Sequence, residues 1–271
     1  MFSDRSTPFD LSFRFLGFPC TISGLFWLGS VLLGNSEFQA FGLRGLLAWV
    51  VAMLISILIH ELGHAIMARS FGCRVHDVRL TLMGGFCAYD REPMWRWQRI
   101  AISLAGPFAG FLFWGILKGS NYAFGLEEYL LDKSIYLALF YYDLLFINLV
   151  WGLFNLLPVL PMDGGRVCYE LCGQAGARHP YVTARWIGVG VAGGLAVISL
   201  LVIQGACPQA IMDLIPSWLS PNTFLVIWMA MFAVQNYMEI QAVRAPRGYG
   251  YGNENFYEPD DDSDSEAWKR R

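Results

Sequence analysis

The sequence predicts an all-α membrane protein of about six transmembrane helices, with a small β-hairpin at the cytoplasmic face. Three observations favour this fold class. Of the 271 residues, 55% are hydrophobic and only 15% are charged, whereas about a quarter of the residues of a soluble domain are charged. Apolar runs long enough to cross a bilayer recur along the chain. A short segment with partly alternating apolar residues lies between two of these runs.

Each predicted span is a run of roughly 17–25 mainly apolar residues, which is the length that a helix needs to cross the hydrocarbon core. The first run is short and interrupted by glycine. We place the six spans near residues 18–33, 43–68, 100–117, 135–162, 186–203 and 223–240. Residues 1–244 are therefore expected to form one membrane-embedded domain, with the lipid bilayer as its surroundings.

Asp143 lies in the fourth run and has two possible positions. Residues 144–162 are nineteen uncharged residues, which is enough to span the membrane alone. We therefore interpret Asp143 as the outer boundary of this span, and an intramembrane carboxylate is the alternative.

The basic residues predict the direction of the spans. If the N-terminus is cytoplasmic, 16 of the 19 lysines and arginines fall in cytoplasmic segments, and only Arg44, Lys118 and Lys133 fall outside. Cytoplasmic loops carry an excess of Lys and Arg. We expect a multi-pass integral protein of the cell (inner) membrane with both termini in the cytoplasm.

Residues 74–90, between the second and third spans, predict the β-hairpin. Val78 and Leu80 belong to a partial apolar alternation, and Gly84-Gly85 is a turn signal. The hairpin would lie at the cytoplasmic surface. It could offer an exposed edge that pairs with an extended peptide, or it could be a connector on the membrane surface.

Residues 245–271 have a different composition, with seven acidic residues among Gly, Asn and Pro. Such a segment buries too little apolar surface to fold. We predict a disordered acidic cytoplasmic tail, either solvated or bound to a partner that the sequence does not identify. The sequence contains no stretch of basic and aromatic residues that would predict a nucleic-acid partner.

Five residues near the end of the second span carry the first chemical signal. Residues 60–64 read His-Glu-Leu-Gly-His, and residues 45–59 before them carry no charge. Helix positions four apart share a face, so His60 and His64 can direct two imidazoles at one point, with Glu61 beside them. This H-E-x-x-H pattern is typical of two zinc ligands and a general base. We predict a metal site within the membrane.

A catalytic zinc site usually has a third protein ligand. The remaining histidines, His76 and His179, lie in polar segments, and we interpret them as surface residues. Asp163 is the better candidate, because a carboxylate after so long an uncharged run is costly unless it faces a partner or a cavity. Two prolines break the helix before it, and Gly164-Gly165 permits a sharp turn. The alternative role for Asp163 is a helix cap at the interface.

The depths of the two motifs agree. The second and fourth spans both run from outside to inside and both carry their motif at the C-terminal end. The fifteen residues 45–59 rise about 22 Å, which leaves His60 within a core of about 30 Å. We expect a submerged site near the cytoplasmic face that water enters from that side.

Together these motifs resemble the site-2 protease family of intramembrane zinc metalloproteases, peptidase family M50. The resemblance rests on residues 60–64 and on the pattern Asn155-x-x-Pro158-x-x-x-x-Asp163 with its two following glycines, and it covers residues 43–166. The segment Ala105-Gly106-Pro107 matches less fully, because Gly110 stands where many members have Asn.

The resemblance implies one zinc ion per chain, held by His60, His64 and Asp163, with Glu61 as the general base. It implies hydrolysis of peptide bonds in transmembrane segments of membrane proteins, and residues 1–244 would then be the metalloprotease domain. We assign Asn155 to substrate-backbone binding or oxyanion support; its alternative is a hydrogen bond that satisfies the broken helix.

Gly84 and Gly85 match the family's strand-forming loop. A substrate helix must unwind before cleavage, and pairing with this hairpin would satisfy its freed amides. A membrane metal-ion transporter and a non-catalytic membrane binding protein are the alternative functions. Transport needs ligands along a path, whereas the sequence has one cluster with a base beside it.

Overall fold

The structure is a computed structural model that describes residues 9–82, 84–90, 94–213 and 222–244. It is mainly helical, and a small sheet lies at one end. Five helices within these ranges are long and apolar enough to cross a membrane. The helices in chain order are α1 Gly24–Leu33, α2 Asn35–Ser70, α3 Arg96–Phe124, α4 Leu126–Lys133, α5 Ile135–Asn155, α6 Asp163–Gln174, α7 Pro180–Ile203, α8 Gln209–Met212 and α9 Thr223–Arg244.

The sheet confirms the predicted hairpin and is larger than it. The four strands are β1 Leu11–Phe15, β2 Phe18–Ile22, β3 Val75–Thr81 and β4 Gly84–Tyr89, in that order across the sheet. The β3–β4 and β1–β2 pairs are antiparallel, and β2 pairs with β3 in parallel. Among the strands of the described residues, β4 therefore lies at an edge of the sheet.

The first predicted span, residues 18–33, is wrong as a single membrane helix. Its first five residues form β2 and its remainder forms α1, whose ten residues rise only about 15 Å. The sequence signal misled because Phe18, Cys20 and Ile22 are buried in the sheet. Hydropathy alone does not distinguish a short buried strand from a helix segment.

The second span is confirmed as a helix and is longer than predicted. The helix α2 begins at Asn35 and contains one non-helical residue, Gly42, with φ 67°. Glycine adopts this left-handed conformation without a steric penalty. The part of α2 after this kink corresponds to the predicted span at 43–68.

The fourth span ends earlier than predicted. The helix α5 stops at Asn155, and residues 156–162 form an irregular loop that contains the two prolines. After Asp143 only twelve helical residues remain, which rise about 18 Å. Asp143 is 5% exposed and lies inside α5, eight residues after its first residue, so residues 144–162 do not form a spanning helix on their own. Its position relative to the membrane boundary stays a prediction.

The remaining spans are confirmed as α3, α7 and α9. The helices α2, α3 and α5 pack on one another, α7 packs along α9, and α6 contacts both α3 and α7. One apolar core joins α2 to α5 and β3, and a second joins the 156–162 loop to α7 and α9. The predicted acidic tail, residues 245–271, lies outside the described residues.

Candidate metal centre

The C-terminal half of α2 holds the two histidines of the motif. His60 and His64 are 3% and 4% exposed. Their Nε2 atoms are 3.3 Å apart, as expected for side chains one helical turn apart on the same face. Two imidazoles thus meet in the protein interior.

The carboxylate of Asp163 completes a triangle with these imidazoles. Asp163 is the first residue of α6 and is 6% exposed. Its Oδ2 lies 3.1 Å from His60 Nε2 and 3.3 Å from His64 Nε2. Tetrahedral zinc with bonds of about 2.0–2.1 Å separates its ligands by about 3.3–3.4 Å, so these three side chains fit zinc. Within the described ranges they are the only such group of three His, Cys, Asp or Glu residues.

A backbone carbonyl orients one of the two imidazoles. His64 Nδ1 lies 2.7 Å from the carbonyl oxygen of Ile102 on α3. The Nδ1–H donates to this oxygen, which leaves the Nε2 lone pair directed at the other two ligands. The sequence carried no signal for this contact, because any residue supplies a carbonyl.

Gly106 allows α3 to approach both imidazoles. A Cβ atom at this position would lie 2.2 Å from His64 Nε2 and 2.8 Å from His60 Nε2. Position 106 therefore excludes every side chain while the histidines keep their places. Sequence reasoning missed this role, although Gly106 belongs to the Ala-Gly-Pro segment that it noticed.

Glu61 and the hairpin are in contact. Glu61 is 4% exposed, and a Cβ atom at Gly85 would lie 2.6 Å from its Oε1. Gly84 has φ +116°, and a Cβ atom at this position would lie 2.6 Å from the ring of Trp151 on α5. The edge strand β4 thus begins directly beside the carboxylate of Glu61.

Cys87 lies on the same strand, two residues beyond Gly85. Burial raises the pKa of its thiol to about 12, and the nearby Glu61 carboxylate acts in the same direction. The thiol is therefore neutral at physiological pH, and a neutral thiol is a poor metal ligand.

Asn155 is the last residue of α5 and is engaged within its own helix. Its Nδ2 donates to the carbonyl of Trp151 at 3.0 Å. This bond to a backbone carbonyl at the end of α5 is the alternative role that the sequence analysis gave for Asn155.

The start of α6 fits closely against the irregular loop. A Cβ atom at Gly164 would lie 2.2 Å from the Leu156 carbonyl oxygen, and one at Gly165 would lie 2.4 Å from the Leu160 nitrogen. The two glycines therefore let the loop fold back on the helix that begins with Asp163.

An ion pair attaches α6 to α3. Glu170 is 2% exposed and receives two hydrogen bonds from Arg99, at 2.6 and 3.2 Å. Arg96 lies 3.6 Å from the same carboxylate.

The two histidines outside the motif, His76 and His179, are on the surface as predicted, and His76 pairs with Asp90.

The chain is similar to known proteins over most of this region. The sequence model of peptidase family M50 matches residues 48–125 and 128–200, which is more than half of the chain. A zinc metalloprotease of Methanocaldococcus jannaschii is 27% identical over 201 residues, covering 74% of this chain and 52% of its own length. The protein Rip3 of Mycobacterium tuberculosis is 32% identical over 156 residues, covering 56% of this chain and 37% of its own length.

The chain thus spans about half of the archaeal relative and about a third of the mycobacterial one. The solved structure of the site-2 protease from Methanocaldococcus jannaschii has a similar fold, with a TM-score of 0.54 and 19% identity, over 89% of this chain and 100% of that chain. On the family match, this integral membrane chain belongs to peptidase family M50.

Proposed function

We propose that the chain is an intramembrane zinc endopeptidase that hydrolyses peptide bonds in transmembrane segments of membrane proteins. The observation that carries the proposal is the buried triangle of two imidazoles and one carboxylate, with Glu61 and the edge strand β4 beside it. Membership of family M50 supports the same reaction. Metal-assisted hydrolysis requires a group of metal ligands with a proton acceptor beside it.

His60, His64 and Asp163 would hold one zinc ion per chain. Zinc with three protein ligands and an open position acidifies a water molecule and polarises a carbonyl. Glu61 would take the proton of that water as general base and deliver it to the leaving amine.

The substrate would bind as an extended strand along β4. A transmembrane helix hides its amides in internal hydrogen bonds, and an unwound segment needs new partners. The free edge of β4 offers a row of N–H and C=O groups of the kind used in strand addition. Gly84 and Gly85 would keep the approach to Glu61 open. The bond to the Trp151 carbonyl uses one N–H of the Asn155 amide, and the amide would contribute to substrate binding with its second N–H and its oxygen.

The end of the molecule that carries the site would face the cytoplasm, together with both termini. The excess of Lys and Arg in the segments at this end supports the cytoplasmic side, and two contacts support the placement of the chain ends at one end of the molecule. Arg69, at the end of α2, stacks on the ring of Phe18 in β2, 4.0 Å from its centroid, so the first strands lie at the site end. Tyr181, at the start of α7, donates to Glu239 near the end of α9. The tail at 245–271 would then be cytoplasmic, and a partner for it stays a prediction.

A metal-ion transporter is the second candidate function. The observation that favours it is the buried carboxylate of Asp143, one of whose oxygens has no hydrogen-bond partner among the described residues. Zinc uptake by vesicles that contain the purified chain, lost on Asp143→Asn but retained in Glu61→Gln, would support transport instead of hydrolysis.

The test of the proposed function is co-expression with membrane proteins as candidate substrates. The wild-type chain is compared with Glu61→Gln and with Glu128→Gln, whose side chain is exposed on α4. We expect Glu61→Gln to keep its zinc while cleavage falls by about 10²–10⁴-fold, and Glu128→Gln to cleave like wild type. Equal processing by all three proteins would contradict the role of Glu61.

A further inference from the structure

A chain of polar side chains, all buried except the half-buried Glu239, runs between α7 and α9 and ends on the loop that precedes Asp163. It begins at Glu239 on α9, whose Oε2 accepts from the Tyr181 hydroxyl at 3.3 Å. That hydroxyl accepts from Arg185 Nη2 at 2.8 Å. Arg185 Nη1 donates to Asn236 Oδ1 at 3.3 Å. Two of these bonds, Tyr181 to Glu239 and Arg185 to Asn236, connect α7 to α9, and the third joins Tyr181 to Arg185 within α7.

Asn236 is the last member and is completely buried, with 0% exposure. Its Nδ2 donates to the carbonyl of Leu160 at 2.6 Å and to the carbonyl of Phe232 at 2.8 Å. Its Oδ1 accepts from Arg185. Both N–H groups and the carbonyl oxygen are thus used, which fixes the orientation of the amide. Of these partners, only Leu160 lies outside the two helices.

Leu160 is three residues before Asp163, in the irregular 156–162 loop. No regular ladder of helix or sheet bonds fixes the backbone there, and a buried carbonyl without a donor is costly. The loop comes close enough to α7 for a Cβ atom at Gly188 to lie 3.1 Å from Asn236 Oδ1 and 3.5 Å from Val159 Cα. The missing side chain at Gly188 allows Asn236 to reach between the helices to the loop.

The same loop is held from its other side. A Cβ atom at Gly165, in the first turn of α6, would lie 2.4 Å from the Leu160 nitrogen. Leu160 is therefore clamped between the first turn of α6 and the amide of Asn236. A displacement of Leu160 would act on that turn, and the first residue of the turn is Asp163.

We propose that Asn236 is a positioning residue for the metal centre. Its hydrogen bond to the Leu160 carbonyl fixes the loop and thereby fixes where the Asp163 carboxylate meets the two imidazoles. Arg185 and Tyr181 hold the Asn236 amide in the orientation that donates to Leu160. The inference rests on the proposed metal site. It adds α9 to the helices α2, α3 and α6 on which that site depends.

The experiment measures the affinity of the full-length chain for Zn²⁺ in detergent, by competition with a chromophoric chelator. Asn236→Leu keeps the approximate volume and removes every hydrogen bond of the amide. Asn236→Asp keeps an oxygen for Arg185 but lacks the N–H that Leu160 receives. We expect both to bind zinc about 10–100-fold more weakly, the usual effect of losing a group that supports a metal ligand. In both, the visible absorption of bound Co²⁺ should change, because the geometry of the ligands changes.

Ile240→Ala is the matched control. It removes buried volume from the same helix, at a residue outside the apolar core that contains the 156–162 loop, and should lower stability while zinc affinity stays within about threefold of wild type. Equal loss of zinc affinity in this control would overturn the proposal, because general weakening of α9 would then be sufficient. Wild-type affinity in Asn236→Asp would also overturn it, because the bond to Leu160 would then be dispensable.

Tyr181→Phe decides the question if neither Asn236 variant folds. It removes only the hydroxyl that holds Arg185, so we expect zinc affinity to fall by a few-fold, and unchanged affinity would overturn the proposal.

His60→Ala separates this inference from the proposed function. If it leaves zinc content unchanged, the metal site itself is wrong and the inference falls with it. If it removes zinc while the Asn236 variants bind normally, only the inference fails.

Discussion

The three proposed metal ligands come from two regions of the molecule that are built in opposite ways. His60 and His64 lie on one continuous helix, so their spacing follows from the helical repeat. Asp163 follows an irregular loop and is 103 residues from His60 in the sequence, so its position relative to the histidines depends on contacts made by other elements. The first region is positioned by local geometry and the second by tertiary packing.

The supports of the two regions differ accordingly. From α3 the histidines receive the carbonyl of Ile102 and the space that Gly106 leaves. The Asp163 segment is held by the ion pair of Glu170 with α3 and by the Asn236 amide on α9. Changes distant in sequence should therefore affect the carboxylate side of the site more than the histidine side.

The largest effect is expected from His64→Ala, which removes a ligand from the helix-built side. Two remaining ligands do not make a zinc site of the usual kind, so zinc content and proteolysis should both fall to background. Metal analysis of the purified protein measures the zinc content, and co-expression with a substrate measures proteolysis. His76→Ala, on the surface hairpin, should retain both. Full zinc content in His64→Ala would remove this residue from the ligand set.

The next effect tests whether the histidine side tolerates any displacement. Gly106→Ala places a methyl group 2.2 Å from His64 Nε2 if nothing moves, so an imidazole or α3 must shift. We expect zinc affinity to weaken by about 100-fold or more, measured by chelator competition. Gly115→Ala on the same helix meets no atom within 4 Å and should bind zinc normally. Similar affinities in the two variants would show that α3 adapts without cost.

A smaller effect is expected where α6 is attached to α3. Glu170→Gln keeps the shape of the side chain and removes the charge that Arg96 and Arg99 share. These arginines are partly exposed, so solvent screens part of the loss. We expect zinc affinity to fall about tenfold or less, whereas Asp132→Asn, exposed on α4, should be neutral. A loss as large as that of Gly106→Ala would mean that the two regions are equally sensitive.

The smallest effect concerns metal removal from the wild-type protein. Because α2 is held by its own hydrogen bonds, amide exchange at residues 56–64 should change little when a chelator removes zinc. Residues 156–165 lose a ligand contact that helps to order the loop, and their exchange should become several-fold faster. Hydrogen exchange followed by mass spectrometry measures both segments in one experiment. Equal acceleration in both would remove the distinction between them.

Much of the fold followed from local patterns. Five of the six predicted spans are helices, because long uncharged runs have few structural alternatives in a membrane protein. The exception, residues 18–33, shows the limit of hydropathy: β2 is apolar because it is buried in a sheet. The β3–β4 hairpin was recognised from its glycines, but its pairing with β2 joins distant parts of the chain.

The candidate site divides along the same line. The histidine pair with Glu61 was visible because residues four apart on a helix share a face. Asp163 was indicated by a charge in an uncharged run followed by two glycines. Gly106 and Asn236 were not identified, because a glycine that makes room and an amide that binds a carbonyl have no distinctive local pattern.

The sequence by itself determined that this is a helical membrane protein with a paired-histidine motif at the end of one span. Composition and helical periodicity are properties of short segments, so no long-range contact is needed to read them. Only the tertiary structure decided that α5 stops at Asn155, that β4 begins beside Glu61 and that Asn236 reaches the Leu160 carbonyl. These features depend on which surfaces meet when the helices pack, and that choice minimises buried unpaired polar groups and empty space over the whole chain.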